Sequence, residues 1–210
     1  MSGLNNTRDG VGSLPADAGT NNTAYGAYTM YEMLSGDQNT GSGVNALYYN
    51  QADNNTGVGA GALFTNTTGE DNTSLGVSAL GGGISLIPQT VGDRNVAVGK
   101  DALYENHGDD NVAVGNSAGA TNVTGNRNTL IGKDADVAGA DCDDSTAIGA
   151  GAIVNASNEI VLGTSAETVK IPGVLDSGIN FPPLTGSGGV GWPGWTANSS
   201  VTLSCGYQSA

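Results

Sequence analysis

An asparagine standing four positions before a glycine recurs along this chain at a nearly constant interval, at Asn22, Asn39, Asn55, Asn72, Asn95, Asn111 and Asn128. The first copy is Asn22-Thr-Ala-Tyr-Gly26, followed by NTGSG from Asn39, NTGVG from Asn55, NTSLG from Asn72, NVAVG from Asn95, NVAVG from Asn111 and NTLIG from Asn128. Ser145 opens the eighth, STAIG, with serine in the asparagine position. A fixed short period of this kind marks a stack of equivalent supersecondary units, because no single unit can bury its own apolar face. The one long interval, from Asn72 to Asn95, contains the extra segment GGGISLIPQT at 81–90, which reads as a loop insertion.

Side-chain alternation along an extended segment assigns the positions. The fourth residue of each unit is mostly aliphatic: Tyr25, Ser42, Val58, Leu75, Val98, Val114, Ile131 and Ile148. This suggests an aliphatic ladder, chiefly Val58, Leu75, Val98, Val114, Ile131 and Ile148, buried by stacking at roughly 1.5–3 kcal/mol per well-buried side chain. The third position is mostly Ala or Gly, which leaves the opposite face nearly flat. A flat small-residue face lets another backbone approach closely, so an oligomer is expected there. Gly26, Gly43, Gly59, Gly76, Gly99, Gly115, Gly132 and Gly149 close the units and suit a tight bend or positive φ. Three positions on comes an alanine, usually with Leu or Ile after it, which reads as a second short strand or a turn. Clusters such as Gly92-Asp-Arg-Asn95 and Gly108-Asp-Asp-Asn111 separate the copies and favour Asx turns. Stacked, they would align the asparagines in a ladder, each amide bonding the next.

Composition agrees with a solenoid better than with an ordinary core. Glycine reaches 35 residues, yet aromatic residues make up only 5%. Prolines number 6 and the glycines lack a three-residue period, which excludes collagen. The net charge of −14 argues against electrostatic binding to nucleic acid or to an anionic membrane. No apolar run approaches the roughly 18 residues that a membrane-spanning helix needs, so no membrane insertion is expected. The opening MSGLNNTRDG lacks the pattern of a secretory signal. Cys142 and Cys205 are too few for a disulfide framework.

The N-x-A-[VIL]-G-x-x-A-L units resemble the head repeats of trimeric autotransporter adhesins, the YadA-like head, and look like the repeats of phage and algal-virus fibre proteins. The likeness runs over residues 22–173 and ends in Asn158-Glu-Ile-Val-Leu-Gly163 and Val169-Lys-Ile-Pro-Gly173, a closing coil with one inserted residue. The resemblance implies an all-β fold: a left-handed parallel β-roll, or β-solenoid, with coils of about 16 residues, wound into a homotrimer. It implies display on a surface and a role in attachment. Without a signal, stalk or membrane anchor in the sequence, the setting expected is a virion fibre or spike on the particle surface. Its other virion contacts would then run through a terminus, and its receptor would be a host surface glycan or protein. A purely structural virion decoration or connector and a bacterial adhesin head fragment are the nearest alternatives.

Residues 1–21 read as a docking or disordered N-terminal arm, and 174–210 as a cap or docking segment. Phe181, Trp192 and Trp195 lie in that last segment, where aromatic rings suit a cap, a protein contact or a sugar. No catalytic, cofactor or metal residues are expected. His107, the single histidine, sits in a turn with no Ser-His-Asp set or metal-spaced cluster. A left-handed β-helix acyltransferase would need consecutive hexapeptide units, whereas each copy here has one. Ice binding by Thr23, Thr40, Thr56, Thr73, Thr129 and Thr146 is weakened by Val96 and Val112, which interrupt the rank. Acidic turns such as Asp141-Cys-Asp-Asp144 lack a calcium-loop spacing.

Overall fold

A computed structural model describes residues 5–16, 18–82 and 91–167. The strands among them are β1 (Thr7–Asp9), β2 (Thr23–Tyr25), β3 (Thr40–Ser42), β4 (Thr56–Val58), β5 (Thr73–Leu75) and β6 (Val96–Val98). They continue with β7 (Val112–Val114), β8 (Thr129–Ile131), β9 (Asp136–Val137), β10 (Thr146–Ile148), β11 (Ile153–Val154) and β12 (Ile160–Leu162). Ten of these form one sheet in the order β1-β2-β3-β4-β5-β6-β7-β8-β10-β12, and β9 pairs with β11 in a second. Every pairing is parallel and joins equivalent residues, so that Val96, Ala97 and Val98 align with Val112, Ala113 and Val114. One coil of chain between each pair of parallel neighbours makes this a β-solenoid. At about 4.8 Å per strand, the ten-stranded sheet runs roughly 43 Å.

Each coil turns its corners through left-handed residues, which is why Asn, Asp, Ser and Gly crowd the sequence. The residue before each ladder asparagine is one such corner: Gln38, Asn54, Asp71, Arg94, Asp110 and Arg127 have φ of 56–60°. Its N–H then points along the stacking axis, as where Asp110 donates to the Asp93 carbonyl at 3.0 Å. A second corner falls at the residue after each Ala or its equivalent: Met30, Leu47, Leu63, Leu80 and Leu103 have φ of 47–53° and are fully buried. Left-handed geometry costs a leucine about 1–2 kcal/mol. Burial of the side chain offsets it by about 1.5–3 kcal/mol, and the Leu103 N–H donates to Ala118 of the next coil at 2.9 Å.

The two faces of the main sheet are the reverse of the expectation. Ala24, Gly41, Gly57, Ser74, Ala97, Ala113, Leu130 and Ala147 point inward and are buried. The aliphatic ladder points outward, with Val58, Leu75, Val114, Ile131 and Ile148 each 37–41% exposed and Val98 half-buried. The cause is the width of the coil. The lumen of so short a coil already holds a leucine from the turn, so the strand can contribute only a methyl or hydrogen to it. The small-residue face is therefore the interior of one chain, and it supplies no surface for an oligomer.

Two expectations change at the ends of the repeat. Residues from Asn6 onward are not an arm: β1 pairs with β2, and the Asn22 N–H donates to Asn6 Oδ1 at 2.8 Å, so Asn6-Thr-Arg-Asp-Gly10 is another coil. Arg8 is paired with the inward Ala24 and donates to the Leu14 carbonyl at 2.7 Å, a charged residue where the following coils carry small or apolar ones. At the other end Ile160 pairs with Thr146, which puts Glu159 rather than Asn158 in the ladder position. Asn158 is the left-handed corner, with φ of 64°. The boundary at 173 and the segment Val169–Gly173 lie outside the described residues.

The residue after the alanine also divides by chemistry. Where it is Leu it bends left-handed and points in. Ile153 is β-branched, stays extended in β11, and is 46% exposed, while Val154 turns inward and is fully buried. Val137 does the same work in β9.

Two neighbouring coils exchange volume across the lumen. Gly119 stands where most coils have Leu, and Leu130 stands where most have Ala, Gly or Ser. A Cβ on Gly119 would lie 2.8 Å from Leu103 Cδ2 and 2.9 Å from Leu130 Cδ1. Leu130→Ala alone is expected to cost about 2–5 kcal/mol through its cavity. Gly119→Leu alone should cost about 1–3 kcal/mol or more through overpacking. The double variant refills the lumen and should be more stable than Leu130→Ala. Urea denaturation of all four proteins measures the coupling, and additivity within about 0.5 kcal/mol would refute the exchange.

Candidate interaction surfaces

On the main sheet, the aliphatic rank from Tyr25 to Ile148 runs beside a rank of Thr23, Thr40, Thr56, Thr73, Val96, Val112, Thr129 and Thr146. The two ranks share one face, since alternate residues of a strand point the same way. Ile148 is 41% exposed, and Tyr25, at 48%, is separated from the aliphatic run by Ser42.

The turns carry the acidic residues, and their carboxylates are tied to backbone. Asp109 Oδ1 accepts from the Asp93 N–H at 2.8 Å, Asp53 Oδ1 from Asp37 at 2.7 Å, and Asp143 Oδ1 from Asn126 at 2.7 Å. The left-handed corners beside them alternate in sign: Arg94, Asp110, Arg127, Asp144. Arg94 makes a two-point contact to Asp110 at 2.7 and 3.0 Å, and Arg127 to Asp144 at 2.6 and 2.9 Å. These hydrogen bonds hold both carboxyls below the usual range, although the pairs are exposed and screened. The acidic turns thus have structural partners. Among the described residues no group of three His, Cys, Asp or Glu is placed to hold a metal ion.

Asp136 is the exception, a buried carboxylate in β9. It accepts from the Val137 N–H at 2.8 Å and the Thr121 N–H at 3.1 Å, yet burial pushes its carboxyl above the usual range. A raised folded-state value means that the fold binds this proton more tightly than the unfolded chain does. The stability so gained is complete below the ordinary Asp range and is lost as pH rises through the folded value. Asp136→Asn is therefore expected to gain stability relative to the parent as pH rises above about 4. Thermal melts across that range check it, and parallel pH profiles would refute it.

The candidate site residues fall in different places. Gly26, Gly43, Gly59, Gly76, Gly99, Gly115, Gly132 and Gly149 close β2–β8 and β10 with φ of 123–148°. Phe181, Trp192, Trp195 and Cys205 lie outside the described residues. Cys142 is buried and its carbonyl accepts from Asn128 Nδ2 at 2.6 Å. His107 is half-buried, and its backbone N–H donates to the Val123 carbonyl at 2.6 Å.

One group lies outside the motif altogether: an aromatic stack at the second corner of the first coils. Tyr31, Tyr48 and Phe64 each follow the buried residue of their corner, with ring centroids 5.4 and 5.2 Å apart. Tyr28 meets Tyr31 edge-on at 5.4 Å, and Tyr49 packs against Tyr48 at 4.7 Å. Its signal in the sequence is three aromatics, at positions 31, 48 and 64, spaced at the interval of the repeat itself.

The fold and these ranks define an all-parallel β-solenoid repeat protein. No helix among the described residues is long and apolar enough to cross a membrane. No family model matches the chain, and no curated protein matches it.

Proposed function

We propose that this chain is a virion fibre or spike module, a left-handed β-roll assembled as a homotrimer, which mediates or supports attachment to a host cell surface. The observation that carries the assembly is the apolar rank of Val58, Leu75, Val98, Val114, Ile131 and Ile148, in register along the outward face. A contiguous apolar stripe in register over six successive coils marks a contact surface. A repeating sheet face buries it best against copies of itself, through closed symmetry. The number three, the handedness and the attachment role come from the likeness of the N-x-A-[VIL]-G units to adhesin heads and viral fibres.

Sedimentation equilibrium of the full chain is expected to give three times the monomer mass. Val114→Glu combined with Ile131→Glu should shift it to monomer, because desolvating a carboxylate in such an interface is strongly unfavourable. A parent protein that is monomeric at micromolar concentration would overturn the assembly. Binding of the assembled protein to host cells tests attachment, and its absence would leave a structural virion component.

The shared face also favours a second reading, ice binding, since threonine and aliphatic ranks lie side by side on a regular sheet. Thermal hysteresis from a monomeric protein would support this reading in place of the fibre.

A further inference from the structure

The aromatic stack ends at Tyr31, which meets Tyr28 edge-on at 5.4 Å and borders a cleft. Tyr48 lies between Tyr31 and Phe64, so its two sides are occupied, whereas Tyr31 is the first ring of the series. In the first coil, the corner residue Leu14 is followed by Pro15 in place of an aromatic. Beside Tyr31 there is a cleft of about 400 Å³, lined by Arg8, Gly12, Ser13, Pro15 and Glu32 together with Tyr31 and the edge of Leu14. That volume falls within the roughly 300–1,000 Å³ of small-molecule sites.

The cleft lies between the β1 and β2 coils. Arg8 stands at a position that is alanine or glycine in most coils, and its Nη1 donates to the Leu14 carbonyl at 2.7 Å. This bond fixes the guanidinium in the wall of the cleft. Gly12 keeps the space open: a Cβ there would come within 3.0–3.2 Å of the Tyr28 and Tyr31 rings. Tyr31 is 40% exposed and Tyr28 43%, and Glu32 is exposed at the rim while its N–H donates to the Tyr48 carbonyl at 2.9 Å.

We propose that this cleft binds a neutral saccharide, with one face of a pyranose ring on Tyr31 and its hydroxyls bonded to Glu32 and Arg8. A tyrosine ring offers an apolar face to C–H groups and a polar edge to water. A carboxylate accepts from vicinal hydroxyls and a guanidinium donates to their lone pairs, so the two supply both kinds of partner that a diol needs. Glu32 and the net charge of −14 disfavour sialylated or sulfated sugars. The inference rests on the attachment reading for its biological meaning, since it gives the host ligand a chemical class, but its chemistry stands on the cleft.

The test uses the full chain on a printed panel of neutral hexose oligosaccharides and their sialylated counterparts, followed by titration with the best neutral binder. Binding to neutral members is expected, with affinity falling at least tenfold in Tyr31→Ala and in Glu32→Ala and staying within twofold in Tyr31→Phe. Glu32 is an exposed side chain, so its variant folds even if Tyr31→Ala disturbs the stack. No binding to any neutral member, a preference for the sialylated ones, or affinity unchanged in Glu32→Ala would overturn the proposal. Host-cell binding that survives Glu32→Ala and Tyr31→Ala intact would overturn the cleft and leave attachment standing. Sugar binding without cell binding would keep the cleft and sink attachment.

Discussion

Gly115→Ala is expected to cost about 3 kcal/mol or more, while Gly61→Ala costs about 1–2 kcal/mol. Both glycines have positive φ, but they differ in kind. Gly61 has φ of 67°, which an L-residue reaches as a left-handed corner, and its Cβ would meet nothing closer than Ser78 Oγ at 3.8 Å. Gly115 has φ of 145°, a region that side chains rarely enter, and its Cβ would lie 2.3 Å from the Gly132 carbonyl oxygen of the next coil. Relief would require the coils to part at a point where the Gly132 N–H donates to Val114 at 2.8 Å. The same contact recurs at Gly43, Gly59, Gly76, Gly99 and Gly132, at 2.3–2.5 Å from the next glycine oxygen, so the strand-end glycines set the coil spacing. Urea denaturation of both variants, scored by the midpoint at equal slope, decides it. Equal losses at the two positions would mean that backbone conformation alone matters and that close stacking does not.

The period and the stacking of equivalent coils are legible in the sequence because both depend on local spacing. The direction in which the strands face is not. Hydrophobicity alone puts Val98 and Ile131 inside and Ala97 outside, and a wide sheet packed on a second layer would obey it. A coil this short cannot, because Leu103 enters the lumen from the corner and leaves room there only for residues as small as Ala97 and Ala113. The constancy of small residues at one strand position is the clue to the interior. The exposed aliphatic rank follows from the same argument, so the pressure toward assembly moves from the alanine side to the valine side. The coil at residues 6–21 is hidden because Arg8 and Asp9 replace the small and aliphatic residues of the unit. The aromatic stack is hidden because Tyr31, Tyr48 and Phe64 fall one position beyond the motif, where most coils demand no aromatic.

Stacked amides are what the sequence suggests for the asparagine ladder, but its bonds run mainly from side chain to backbone, which makes it more vulnerable to substitution. From Asn22 to Asn128 each ladder asparagine is buried and accepts at Oδ1 from the N–H of the next ladder residue at 2.8–3.0 Å. All but Asn72 also donate through Nδ2 to a turn carbonyl. Asn128 accepts from the Ser145 N–H at 3.0 Å and donates to the Cys142 carbonyl at 2.6 Å. Asn128→Ala is expected to strand both buried backbone groups and to cost about 2–6 kcal/mol, at about 1–3 kcal/mol for each. Asn128→Asp keeps the shape and the acceptor but sets a carboxylate oxygen against the Cys142 carbonyl. In its protonated form the same group can donate there, so the fold raises its proton affinity. Its stability should be best below the ordinary Asp range and should fall as pH rises through the folded value, whereas the alanine variant should show no such recovery relative to the parent. Denaturation midpoints at about pH 4 and pH 7 separate the two. If Asn128→Asp matched the parent at neutral pH, the Nδ2 bond to Cys142 would contribute nothing, and the ladder would be held by Oδ1 alone. Ser145 shows where the requirement relaxes. In the coil it opens, a hydroxyl replaces the amide and donates to the Asp143 carbonyl at 2.9 Å, and in the following coil Glu159 turns its carboxylate back to the Asn155 N–H at 2.8 Å. The forward-passed bonds thus stop at Ser145, while strand pairing continues one coil further to β12.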